Sequence, residues 1–178
     1  MNISRKVKTR TLTQAAFLVA LSIALTRFGS IMVLPTLRIG FGDTPIMLSG
    51  ILFGPIVGGI SGVAADLLGI MINPQGPPHL GFTLSSALWG VISGLYIMYF
   101  KKKDIKTNIF SADKVAIIVV TCYLVISVGL NTYWLSQLYN KGVIVMLPGR
   151  VLTALINIPI QVIIITYLGR YLRNIASR

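Results

Sequence analysis

The stretch that decides the architecture is Thr44–Ile72, TPIMLSGILFGPIVGGISGVAADLLGIMI. As one helix its twenty-nine residues would run about 44 Å, well beyond a hydrocarbon core of about 30 Å. Gly54-Pro55 sits in its interior, a dipeptide that ends or kinks a helix. Either the stretch is one over-long span or it is two helices, the first of about eleven residues. Charge decides. The N-terminal Arg5, Lys6, Lys8 and Arg10, the Lys101-Lys102-Lys103 cluster with Lys106, and the C-terminal Arg170, Arg173 and Arg178 form three dense basic patches. Cytoplasmic segments collect such residues, so the number of crossings between the first two patches must be even. Splitting at Gly54-Pro55 satisfies that condition and a single span does not.

Outward from this stretch, apolar runs lie at Leu12–Leu34, Phe82–Phe100, Lys114–Leu135 and Pro148–Leu172. The first has the basic flank of a signal peptide but no small-x-small cleavage site, and reads as a retained helix. The expectation is an all-α polytopic membrane protein: six transmembrane helices in a single domain over 1–178, both termini cytoplasmic. Composition agrees. The chain has 178 residues, 54% of them apolar and 11% charged, with sixteen Lys and Arg against four Asp and a net charge of +12. A soluble domain carries roughly 25% charged residues. The basic residues cluster at the ends of apolar runs, so the charge indicates orientation in a membrane and not nucleic-acid binding. Cys122 has no second cysteine to pair with.

Three outer connections follow from this topology, at 35–43, 73–81 and 136–147, each longer than a tight turn. His79 in the second reads as a solvated loop residue, because no second His, Cys or suitably spaced carboxylate completes a metal site; no metal or cofactor is implied. Arg27, Arg38, Lys141 and Arg150 gather in the outer half with Asp43 and Asp66. Lys141 and Arg27 are expected to be solvated or to snorkel. Arg150 is expected in the first turn of the last helix, after Pro148, where the helix dipole favours an anion and a guanidinium adds a bidentate contact. Arg38 could reach the same anion. Asp43 reads as a helix N-cap. Asp66 lies within the membrane, where a charge costs about 2.5 to 3.5 kcal/mol, and needs a partner among Arg27, Arg38 or a ligand.

Ser127, Asn131 and Trp134 share a helix face by spacing, as do Arg150, Asn157 and Gln161; the deeper Asn157 and Gln161 are expected to stitch helices together. Phe82, Trp89, Asn131, Tyr133 and Trp134 could hold a flat ring, although Trp and Tyr at this depth also belong to the interfacial belt. Small residues recur every four positions at Ala16, Ala20 and Ala24, a spacing that lets another helix approach closely. The sequence has no phosphate-binding G-x-x-x-x-G-K-[ST] loop, no Ser-His-Asp or Cys-His set, and no inverted repeat. An ATPase, another enzyme and an autonomous secondary transporter are therefore disfavoured.

The runs Leu37-Arg38-Ile39-Gly40-Phe41-Gly42-Asp43-Thr44-Pro45, Leu52-Phe53-Gly54-Pro55, Asp66-Leu67-Leu68-Gly69, Gly81-Phe82-Thr83-Leu84-Ser85, Asn131-Thr132 and Leu147-Pro148-Gly149-Arg150, in this order, resemble the folate-specific S component of energy-coupling factor (ECF) transporters. The resemblance implies a membrane subunit that captures a vitamin outside and releases it inside, by toppling, on association with a transmembrane T component and two ATPases. It implies that Ala16 and Ala20 contact the T component. For the ligand it implies Asp66, Asn131, Trp89 and Trp134, with Phe82, at a pterin ring, and Arg38 and Arg150 at the glutamate carboxylates. Another vitamin such as pantothenate, or a membrane interaction protein without a small-molecule ligand, is the alternative.

Overall fold

The computed structural model describes residues 9–34, 37–74, 79–103 and 109–176, with side chains described except over 31–39 and 172–176. Arg5, Lys6, Lys8, Lys106, Arg178 and the loop residues 75–78 lie outside the described residues. Among the described residues six helices make the fold: α1 (Thr9–Arg27), α2 (Asp43–Phe53), α3 (Pro55–Ile72), α4 (Leu80–Lys103), α5 (Ala112–Tyr139) and α6 (Val143–Ala176). Between α1 and α2 the chain forms a hairpin of β1 (Ile31–Leu34) and β2 (Leu37–Ile39), antiparallel, pairing Ile31 with Ile39 and Met32 with Arg38. The all-α reading holds with this small addition. Where the sequence reading continued the first helix to Leu34, α1 stops at Arg27.

Five of the helices are long and apolar enough to cross a membrane. The eleven-residue α2 extends only about 16 Å, half the hydrocarbon thickness. It folds back along α3 through Gly54, whose φ of 94° lies in the region open to glycine. Pro55 begins α3, where its missing N–H costs nothing. Across the turn the Ser49 and Ser61 hydroxyls share a hydrogen bond of 2.9 Å. The split at Gly54-Pro55 is therefore real, and the chain reverses there.

Glycines set the spacing of α2, α3 and α4. A Cβ on Gly90 would collide with the Gly58 carbonyl, one on Gly50 with the Gly90 carbonyl, and one on Gly62 with the Ser86 carbonyl. In lipid there is little hydrophobic drive between helices, so such close approach carries much of the association. The core of Met47, Leu48, Val115, Ile118, Ile126 and Ile165 closes around it, each at most 1% exposed. Outward-facing apolar residues such as Ile56, Ile60, Leu84 and Leu155 are exposed, as lipid contact requires. Gly90→Ala should separate α3 from α4 and destabilise the protein by about 1–3 kcal/mol, whereas Gly129→Ala on exposed α5 surface should stay within about 0.5 kcal/mol. Melting of the two variants in detergent measures the difference.

Candidate functional site

A cavity of about 270 Å³ opens at one end of the bundle, close in size to the small end of ligand sites, about 300–1,000 Å³. Its wall comes from the C-terminal parts of α1, α3 and α5 and the N-terminal parts of α2, α4 and α6. All six helices thus alternate in direction. Arg10, Lys101–Lys103 and Arg170 lie at the opposite end of the same helices.

On α4, Phe82, Ser85 and Trp89 line the cavity, and Trp89, 3% exposed, packs edge-on against Tyr123 of α5 at 5.1 Å between ring centroids. The Tyr123 hydroxyl accepts from Gln161 Nε2 at 2.8 Å, which ties the ring to α6 at the cavity wall. On α5, Ser127 and Asn131 follow Tyr123 along the wall. Two oxygens on this surface, Asn131 Oδ1 and Ser85 Oγ, are buried without a hydrogen-bond partner among the described residues. A buried polar atom left unpaired costs about 1–3 kcal/mol, so these atoms suit a polar ligand.

The charged part of the wall is held differently from the sequence expectation. Arg27 does not snorkel: its side chain is 8% exposed and turned inward, 3.7 Å from Asp66, and its Nη1 donates to the Asn73 carbonyl at 3.2 Å. Gly69 makes room for it, since a Cβ there would stand 2.7 Å from Arg27 Nε. Asp66 also accepts from Thr83 Oγ1 at 2.7 Å. The intramembrane carboxylate therefore has Arg27 as its partner, and both groups line the cavity.

The N-cap position of α2 is taken by Gly42, and Asp43, expected there, is the first residue of the helix and lines the cavity. Arg150 reaches the cavity, but not from a first turn. α6 begins at Val143, so Pro148 is internal and Arg150 lies two turns in; neighbouring helices in a membrane bundle tolerate such prolines. The connection before it is tight: Asn140 takes a left-handed conformation with φ 50° and Ser136 Oγ donates to the Lys141 carbonyl at 2.7 Å.

Trp134 is displaced from its expected place. Phe82, Trp89, Asp66, Asn131 and Arg150 line the cavity and Trp134 does not; it sits at the rim, its ring 5.4 Å from that of His79 and packed on Gly81. Three residues past Asn131 it is rotated by about 60° from it, and Leu135 takes the wall position instead. His79 is not a solvated loop residue: half-buried, it lines the cavity, accepts from the Gly81 N–H at 3.1 Å and packs on Phe82. Asn157 lines the cavity and also hydrogen-bonds the Tyr123 side chain, so it and Gln161 both stitch α6 to α5 as expected. The Arg38 side chain lies outside the described residues; its backbone is in β2, bracketed by the cavity-lining Ser30 and Gly40. Sequence reasoning missed Tyr123, Ser85, Thr26 and Thr153; Tyr123, four residues before Ser127, was findable from that spacing. Ala16, Ala20 and Ala24 are exposed while Ala15, Leu18 and Val19 are buried, so the small-residue stripe faces away from the bundle.

Fold and site define a multi-pass membrane protein with a small-molecule-sized cavity open at one end of its helix bundle. The family model for the ECF-type riboflavin transporter, S component, matches residues 6–174. The chain is 39% identical over 158 residues to the folate transporter FolT of Clostridium novyi, covering 89% of this chain and 87% of that one. It is 28% identical over 164 residues to the folate transporter FolT of Leuconostoc mesenteroides, covering 88% and 83%. A crystal structure of FolT bound with folic acid superposes with a TM-score of 0.77 at 28% identity, covering 92% and 96%. The chain belongs to the S components of ECF-type transporters, the substrate-binding membrane subunits of these systems.

Removing one partner of a buried ion pair leaves the other uncompensated, at about 3–5 kcal/mol. Asp66→Ala should therefore lower the melting temperature in detergent sharply. Arg27→Met combined with Asp66→Ala should recover part of that loss.

Proposed function

We propose that this S component binds folate. It captures the vitamin at the outer face of the cell membrane and releases it inside on association with a transmembrane T component and two ATPase subunits. The observation that carries the vitamin is the cavity's pairing of a ring site with cations. Phe82, Trp89 and Tyr123 offer aromatic walls, Asn131 Oδ1 an unpaired acceptor, and Arg27 and Arg150 two guanidiniums. A pterin is flat and carries N–H donors on its edge, and the glutamate tail carries carboxylates that guanidiniums bind bidentately. Riboflavin has no carboxylate for a guanidinium to hold. The 39% identity to a folate transporter supports the same choice.

In this reading Asn131 meets the pterin edge, Trp89 and Phe82 flank the ring, and Arg150 holds a tail carboxylate. Arg38 on the hairpin beside the cavity is a second tail ligand. Asp66 acts mainly by holding Arg27 in the wall, and Trp134 by supporting His79 at the rim. Both termini lie in the cytoplasm, because the basic ends of α1, α4 and α6 gather opposite the cavity. Ala16 and Ala20, exposed on α1, form the contact with the T component.

Titration calorimetry of the detergent-purified protein tests the ligand: saturable heat with folate and none with riboflavin is expected, and the reverse result rejects folate. Arg150→Ala should weaken binding at least tenfold, about 1.4 kcal/mol. Ala16→Leu with Ala20→Leu should leave that titration unchanged and abolish co-purification with the T component and folate uptake by cells.

A further inference from the structure

The middle of α5, Tyr123–Leu130, is π-helical. The Asn131 N–H donates to the carbonyl of Ile126, five residues back. Thr132 Oγ1 donates to the carbonyl of Ser127 at 3.3 Å. Of the six side chains by which this helix lines the cavity, Leu138 and five at four-residue spacing, Tyr123, Ser127, Asn131, Leu135 and Tyr139, the five set the register. A continuous α-helix would spread those five around the helix. Each four-residue step overshoots a full turn by about 40°, and the four steps from Tyr123 to Tyr139 would drift by about 160°, to the far side. In the wider π turn, of about 4.4 residues, a four-residue step falls short by about 33°. Two π steps to Asn131 and two α steps to Tyr139 nearly cancel, leaving a drift of about 15°.

We infer that the π-helical stretch Tyr123–Leu130 is the element that positions Asn131 for the ligand, by absorbing one residue more than an α-helix would need and so turning both halves of α5 to one cavity. This rests on the folate reading for the identity of the ligand and deepens it by naming what sets the register of its site. The stretch also displaces Trp134 from the cavity wall. With Gly129 deleted, seven α steps join Tyr123 to Asn131 and leave the amide within about 45° of its present direction. The full-length segment forced into α form would rotate it by about 145°. Deletion elsewhere in α5 has no such reserve.

The test compares two deletions in the full chain, of Gly129 and of Ile117, both exposed and therefore of little packing value themselves. Calorimetry with folate should give the Gly129 deletion a Kd within about tenfold of the intact protein's, and the Ile117 deletion no saturable heat. A helix that serves only as structure would suffer alike from either. Loss of folding or of binding on deleting Gly129 overturns the inference, as does intact binding on deleting Ile117. Should the intact chain itself bind no folate, the folate reading fails and the register is read from melting. The Gly129 deletion should then unfold near the intact protein and the Ile117 deletion well below it, and equal losses reject the register.

Discussion

The close contact of α2, α3 and α4 at Gly50, Gly58, Gly62 and Gly90 is the constraint on which the rest depends. Lipid offers no solvent penalty that would press apolar helices together, so the bundle is held where backbones touch. That contact fixes α2, among the described residues the helix too short to cross, against two full-length neighbours. Because α2 fills only half the depth at its position, the space beyond its N-terminus is left to Asp43, Ile46 and the hairpin, and the cavity occupies it. A packing motif made of missing side chains thus creates the room in which side chains with chemistry are displayed.

The fold was legible wherever composition and charge sufficed. Gly54-Pro55 and the three basic patches yielded six helices and their alternation, because breaking a helix and placing lysines are local decisions. The β1–β2 hairpin was not legible: Ile31–Leu34 is an apolar run too short for periodicity to separate strand from helix. The start of α6 was misplaced because proline marks a helix beginning in water, whereas a membrane bundle accommodates it internally. Site residues followed the same division. Asp66 and Arg150 stood out as charges in lipid. Tyr123 and Ser85 looked like ordinary members of apolar runs. Trp134 was assigned to the wall by a 3.6-residue period that α5 does not keep.

The charged groups of the cavity show how an acid and a base can share a membrane interior. Arg27 and Asp66 are held in place by Asn73, Thr83 and the gap at Gly69, so neither needs to reach water. Ionised groups pre-arranged in this way meet a charged ligand without reorganising, and preorganisation of that kind lowers the cost of binding.

Helix α1 is a party wall. One side shows Ala16, Ala20 and Ala24 to the surroundings, while the other gives Ser22, Thr26 and Arg27 to the cavity. Ser22 is tied to the Gly42 carbonyl at 2.6 Å and Arg27 to the end of α3, so the rod does not slide independently of the chamber behind it. A partner on the outer side that shifted this rod would shift the inner wall with it, and reciprocity would then require an occupant of the chamber to alter that partner's affinity by the same factor.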